Sequence, residues 1–357
     1  MRPKSSWLFQ LCSLLLLMTM NPLFGYYFDV LVLCFFTLVS FRYISFRMPF
    51  LVLLATIVSM EIAFYFYTIT DGLRFVLLLL TYIFIPFLYL CRYNSKANLF
   101  ELERNFRLLT CLSLVGYLVI YLSDGSFEFF TYSYGDSSQT FVGYSLVVTN
   151  FLKHDSLLLR FVGFSSEPAM WGYISLLFLS VHLSKRTTDI KVVLIYCVSI
   201  FLTVSTFAVG LLFVVMMLRF KRYRFLLVSI ILLAGFYFID NILSLSLVRK
   251  VTDVYLLERY EPTFTAFKYF LENPLGVGST GYSWLLENNY NVGSFDSYTQ
   301  IMLRFGVVGL SIYFGLLYGL FKSNRYVFIV ISVASLSQLI FFLPLTILFF
   351  LGAQKNV

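Results

Sequence analysis

The residues best placed to do chemistry are arginines and carboxylates that border long apolar runs. In LLLRFVGFSSEPAMWGY, Arg160 stands seven residues before Glu167. Pro168 suits the first turn of a helix, Ser166 can cap it, and Glu167 favours the positive end of the helix dipole. By itself that pattern describes a well-capped helix start. With Arg160 alongside, a guanidinium and a carboxylate stand over a helix N-terminus, a place where a phosphate and a hydroxyl nucleophile can be handled together. A second segment, VRKVTDVYLLERYEPTFTAFKYFLENPLGVGSTGYSWL, holds Arg259 and, after Pro274, the glycines Gly276, Gly278 and Gly281. Their spacing predicts a tight turn that exposes backbone. Val248, Val251 and Tyr255, and then Phe264, Phe267 and Leu271, recur at helical spacing, as in a helix lying in a membrane interface with its apolar face on lipid.

Other kinds of site lack their residues. His154 and His182 are the only histidines, and no Cys or His pair has metal-ligand spacing, so neither a metal nor another cofactor is expected. There is no GxxxxGK[ST] and no dinucleotide fingerprint. Asp-x-Asp, the pair that commonly holds the metal of sugar-nucleotide enzymes, is also missing. Within the apolar runs ionisable residues are scarce apart from Glu61, which argues against an ion-coupled transporter.

The elements that must position these groups follow from composition. Hydrophobic residues make up 60% of the chain and aromatic residues 20%, with 12% charged, against about 25% charged in an average soluble domain. That balance speaks against a water-soluble fold. Apolar runs of membrane-crossing length recur along nearly the whole chain, which predicts one all-α polytopic membrane domain over 1–357 with about 10–12 transmembrane helices. A hairpin of two spans covers Trp7–Phe41, with Pro22 and Gly25 as breakers, so the N-terminal run reads as a first span, not a signal peptide. Further spans are expected at Met48–Tyr67, Phe75–Leu90, Leu108–Leu122, Pro168–Leu183, Phe225–Ile239 and Gln300–Phe321. Basic residues at both ends of Lys191–Arg219 predict two short helices turning near Ser205 and Thr206. The last stretch, Tyr326–Leu351, is broken near Pro344. Between the spans lie two long loops, about 123–166 and 240–299.

The net charge of +8 would raise the question of nucleic acid in a soluble protein. Here the charges follow topology. Links carrying Arg2 and Lys4; Arg42 and Arg47; Arg92, Lys96, Arg104 and Arg107; Lys185, Arg186 and Lys191; Arg219, Lys221, Arg222 and Arg224; and Lys322 and Arg325 fall on one side, while the short links of the other hold only Arg74. Cytoplasmic loops retain Lys and Arg, so the two long loops face the opposite compartment. Cysteines 12, 34, 91, 111 and 197 lie in or beside apolar runs, which predicts no disulfide framework.

The run R-F-V-G-F-S-S-E-P before a span, L-L-E-R-Y-E-P followed by N-P-L-G-V-G-S-T-G-Y, and Y-T-Q-I-M-L-R-F-G-V-V-G-L-S-I-Y-F opening the next span together resemble Wzy-type O-antigen polymerases and the wider O-antigen ligase superfamily. The resemblance implies a metal-independent, inverting glycosyltransferase of the GT-C type in the bacterial inner membrane, with its active site facing the periplasm. Its partners would be undecaprenyl-pyrophosphate-linked oligosaccharides as donor and acceptor, the lipid bilayer and, as a candidate, a chain-length regulator. Arg160 and Arg259 match the family's loop arginines and would meet the departing pyrophosphate. Glu167 and Asp296 are candidates for the group that takes the acceptor's proton. Two departures bear on the activity. Ligases of the superfamily carry a His where this chain has Asp296 and Ser297, which favours polymerase over ligase. An Arg often found in the short turn between two spans is replaced by Ser205-Thr206-Phe207. A flippase of lipid-linked sugars is the rival of another class, but internal repeats and charges within the spans, which it would be expected to show, are not seen.

Overall fold

Polar caps and prolines divide a mostly apolar chain into helices. A computed structural model of the chain describes residues 7–19, 25–43, 83–93, 96–122, 130–133, 140–145, 149–153, 160, 161, 163, 168–185, 187–203, 205–220, 253–288, 296–336 and 344–353. In chain order the helices are α1 (Trp7–Met18), α2 (Gly25–Ser40, ending in a 3-10 turn at Phe41–Tyr43), α3 (Ile83–Tyr93) and α4 (Lys96–Leu122). They continue as α5 (Pro168–Leu183), α6 (Ile190–Leu202), α7 (Thr206–Arg219), α8 (Asp253–Glu272), α9 (Gly278–Glu287), α10 (Ser297–Ser323), α11 (Arg325–Ala334) and α12 (Pro344–Ala353). The spans expected at Met48–Tyr67 and Phe225–Ile239 lie outside the described residues, as does the first part of Phe75–Leu90.

The body is helical, in keeping with the all-α expectation, and the first long loop adds a small sheet to it. Within the first long loop β1 (Phe130–Ser133), β2 (Thr140–Ser145), β3 (Thr149–Lys153) and β4 (Arg160–Phe161) form an antiparallel sheet in the order β1-β2-β3-β4. Aromatic and β-branched residues such as Phe130, Tyr132, Phe141 and Val142 supply the strand preference.

Local signals explain the helix starts. Pro168 opens α5. Asp189 caps α6 by accepting from the Lys191 N–H, and Ser205 caps α7 by accepting from Ala208. The expected turn between two short helices is therefore present at Ser205. Arg219, at the far end of α7, donates to the Lys185 carbonyl at 3.2 Å and the Thr188 hydroxyl at 3.0 Å. So α6 and α7 form a hairpin, and Arg219 at the end of it meets the link that carries Lys185 and Thr188. Among the described residues, Ser297–Ser323 alone is long and apolar enough to cross a membrane by length and composition; the shorter apolar helices have 10–17 residues.

That basic end is organised by one buried carboxylate. Glu103 on α4 is fully buried. It accepts from Lys185 Nζ at 2.9 Å and from the Tyr196 hydroxyl of α6 at 3.0 Å. His182 Nδ1 and Arg107 Nη1 each lie 3.7 Å from its oxygens. His182 is oriented in turn by the Asp189 N–H, which donates to its Nε2 at 3.3 Å. Burial alone would raise the Glu103 pKa, but its bonds to His182 and Lys185 and the charges of Lys185 and Arg107 hold it below its ordinary value of 4.5.

At the other end of α5, Trp171 anchors the first long loop. Its indole N–H donates to Ser199 of α6 at 2.8 Å. Phe161 of β4 is buried edge-on against the Trp171 ring, 5.7 Å between centroids, and against Tyr117 at 5.6 Å. Gly163, at φ 59°, lies so close to the indole that a Cβ there would overlap the ring. Deeper in, Phe106 stacks on Phe178 with centroids 4.2 Å apart.

Replacing Glu103 with Ala is expected to cost about 3–5 kcal/mol, because Lys185 and Arg107 then lose their buried counter-charge; thermal unfolding of the purified protein measures it. The pH dependence has a definite sign. Since the folded-state pKa is depressed, the stabilisation by Glu103 is complete above pH 4.5 and is lost as pH falls through the lower folded value. The stability gap between wild type and Glu103→Gln should therefore narrow below that point, and a constant gap down to acid pH would contradict the arrangement.

Candidate functional site

The second long loop is built onto the start of α10 through a backbone lock. Asp296 caps α10, its Oδ1 accepting from the Thr299 N–H at 2.7 Å. Ten residues further, Gly306 (φ 58°, ψ −153°) breaks the helix. The groups freed on either side of the break are taken up by the connection between α8 and α9. Val277 N–H donates to the Leu303 carbonyl at 2.7 Å, and Val307 N–H donates to the Pro274 carbonyl at 2.9 Å. Two glycines make the approach possible. A Cβ on Gly276 (φ 87°) would sit 2.5 Å from the Arg304 oxygen and 2.7 Å from the Gly306 nitrogen, and one on Gly306 would overlap the backbone of Pro274 and Leu275. Beneath the lock, Ala266 of α8, Tyr282 and Leu285 of α9 and Leu303 of α10 form a small apolar core.

Polar side chains line this junction. Gln300 is 3% exposed and donates its amide hydrogen to the Tyr282 hydroxyl. Half-buried Arg304 lays its guanidinium over the Tyr282 ring, 4.6 Å from the centroid. Tyr282 thus holds two residues of α10 that are one helical turn apart.

The residues singled out in the sequence fare differently. Asp296 is at the N-cap of α10, half-buried. The glycines do not form a backbone-exposing turn: Gly276 and Gly278 are buried, and Gly281 lies inside α9. Their spacing resembles that of an exposed loop, but in the fold the backbone of this turn bonds to the groups freed by the break in α10. Arg160 has its backbone in β4, directly before the anchored Phe161, and Arg259 lies on α8; both side chains fall outside the described residues, as does the whole of Glu167. Phe264, Phe267 and Leu271 form an exposed apolar face of α8, continued by Leu275 and Trp284. Val248 and Val251 lie outside the described residues. Tyr282, Gln300 and Gly306 are not among the expected site residues, and Arg304 is a charge inside the expected span Gln300–Phe321, contrary to the expectation that the spans hold none. The available signal was the four-residue spacing of Asp296, Gln300 and Arg304 in D-S-Y-T-Q-I-M-L-R, which puts three polar residues on one face of the helix start.

No metal-binding group of three or more His, Cys, Asp or Glu side chains is found among the described residues. No family model, curated protein or solved structure matches this chain.

Gly306→Ala is expected to lower stability by about 3 kcal/mol or more, combining left-handed strain with a backbone clash. Limited proteolysis between α8 and α9 reads the release of the lock. Wild-type resistance in this variant would show that the two segments are not interdependent.

Proposed function

We propose that this protein is a polytopic membrane glycosyltransferase of the Wzy type, which joins lipid-linked oligosaccharide repeat units into a surface polysaccharide on the periplasmic face of the bacterial inner membrane. The observation that carries the reading is that both long loops are anchored on the helical body: Phe161 packs against Trp171 directly after Arg160, and the glycine lock holds the end of α8, the helix whose backbone carries Arg259. Gathering of the basic links at the opposite end, around Glu103, supports the sidedness. The helices shorter than a bilayer are compatible with it, because breaks such as those at Ser205 and Gly306 are tolerated at membrane depth where the backbone is buried in protein.

The reaction needs two charge movements. The acceptor's sugar hydroxyl attacks the anomeric carbon of the donor from the face opposite the diphosphate. As the new glycosidic bond forms, the bond from that carbon to the diphosphate oxygen breaks, and the polyprenyl diphosphate leaves with the electron pair. Arg160 and Arg259 neutralise the leaving dianion in place of a metal. The hydroxyl proton passes to a carboxylate, Glu167 or Asp296. Asp296 in place of a histidine favours polymerase over ligase.

Arg160→Ala and Arg259→Ala should leave membrane insertion intact and reduce chain extension at least about a hundredfold, read with purified protein and lipid-linked repeat units as new glycosidic bonds. Normal long polymers from both variants would reject the assignment, and flipping without bond formation would make the protein a transporter. The two carboxylates are separable because Asn caps a helix about as well as Asp. Asp296→Asn should therefore keep the wild-type unfolding midpoint, and if Asp296 is the base it should lose about a hundredfold or more in kcat. Retained turnover would assign the base to Glu167.

A further inference from the structure

Asp296, Gln300 and Arg304 follow one another at intervals of four along the first turns of α10. They form a polar stripe about 12 Å long at 1.5 Å per residue. Its neighbours Ile301, Leu303 and Phe305 are buried apolar residues. A guanidinium in such a helix is costly to desolvate, and where one occurs it marks an ion or substrate path. Tyr282 holds the stripe from the side, through its hydroxyl to Gln300 and through its ring to Arg304. Stacking engages the flat face of a guanidinium, whose N–H groups lie in its plane and match the paired oxygens of a phosphate. The Gly276–Gly306 lock, two residues beyond Arg304, fixes α9 against α10 and so fixes this stack.

We infer that Arg304, held on Tyr282, binds the diphosphate that the acceptor substrate retains, with the acceptor saccharide running along α10 past Gln300 toward Asp296. The inference rests on the polymerase reading. In that reaction two substrates each carry a polyprenyl diphosphate, one of which departs while the other stays attached. Arg160 and Arg259 serve the departing group. Two dianions cannot share one set of cations without strong repulsion, so the retained group needs a cation of its own. The order of residues on α10 fits this substrate. The helix enters from the long loop at Asp296, and Arg304 lies about 12 Å further along toward the bilayer. A lipid-linked saccharide has the same polarity, with its diphosphate at the membrane surface and its reacting hydroxyl farthest from it.

The test is equilibrium binding of undecaprenyl diphosphate, without sugar, to the full-length protein in uncharged phosphatidylcholine nanodiscs. Wild type should bind two equivalents. Arg304→Met, which keeps apolar packing on Tyr282, should bind one at an unchanged unfolding midpoint. Arg304→Lys should keep the second equivalent with an affinity lower by about tenfold, since an ammonium cannot engage two oxygens in a fixed fork. In steady-state extension Arg304→Met should raise the KM for the lipid-linked acceptor by about tenfold while kcat stays near wild type, as expected for a contact made equally in the ground and transition states. Two equivalents bound by Arg304→Met would overturn the inference, and so would loss of both with a lowered midpoint, which would mean a packing role. The underlying reading fails separately: if wild type binds two equivalents and Arg304→Met one, but no glycosidic bond forms with lipid-linked repeat units, the diphosphate site stands and the polymerase does not.

Discussion

A helix that breaks in an apolar setting leaves backbone N–H and C=O groups that water cannot reach, and each must find a partner or cost several kcal/mol. In α10 the break at Gly306 is resolved by a segment from elsewhere in the chain. The Leu303 carbonyl and the Val307 N–H pair with Val277 and Pro274, and Gly276 and Gly306 allow the two backbones to meet where any side chain would intrude. The second loop is therefore part of the helical body. Arg304 comes two residues before the break, and its contact with Tyr282 exists because α9 follows directly from the locked turn.

The opposite end of the bundle obeys the same constraint with charges. Glu103 is fully buried, so its ionised form survives through direct bonds from Lys185 and Tyr196 and the nearby His182 and Arg107. Those partners come from α4, the last turn of α5, the α5–α6 link and α6, and Arg219 brings the end of α7 to the same link. One carboxylate thus sets the register of four helices. Between the two ends, the aromatic packing of Phe161, Trp171, Phe106 and Phe178 transmits that register to the strand that carries Arg160.

On this scaffold a polymerase reading asks little of individual side chains beyond position. Without a metal, stabilisation of a departing diphosphate depends on guanidinium groups held rigidly, and rigidity here comes from neighbours distant in sequence. At Arg160 the anchor is on the backbone, through the adjoining Phe161 packed on Trp171. Arg304 borrows rigidity from Tyr282, Gln300 and the glycine lock.

Helix starts were legible from the amino-acid sequence alone, because they are set by neighbours within a few residues. Pro168 at the first turn of α5, the turn at Ser205 and the helix starts at Gly25 and Pro344 appear where local preference puts them. Of the basic residues, Arg107, Lys185 and Arg219 meet at one end of the bundle. The sheet of the first loop was not legible, because its short strands depend on pairing with one another. Nor was the role of the glycines, which have the same spacing in an exposed turn and in a buried lock; only the left-handed break at Gly306, about thirty residues away, distinguishes the two. Tyr282 beneath Arg304, Trp171 beneath Gly163 and Lys185 beside Glu103 are likewise products of tertiary structure. Periodicity states which side of a helix a residue occupies, but the partner on that side comes from whichever distant segment the closed backbone brings there.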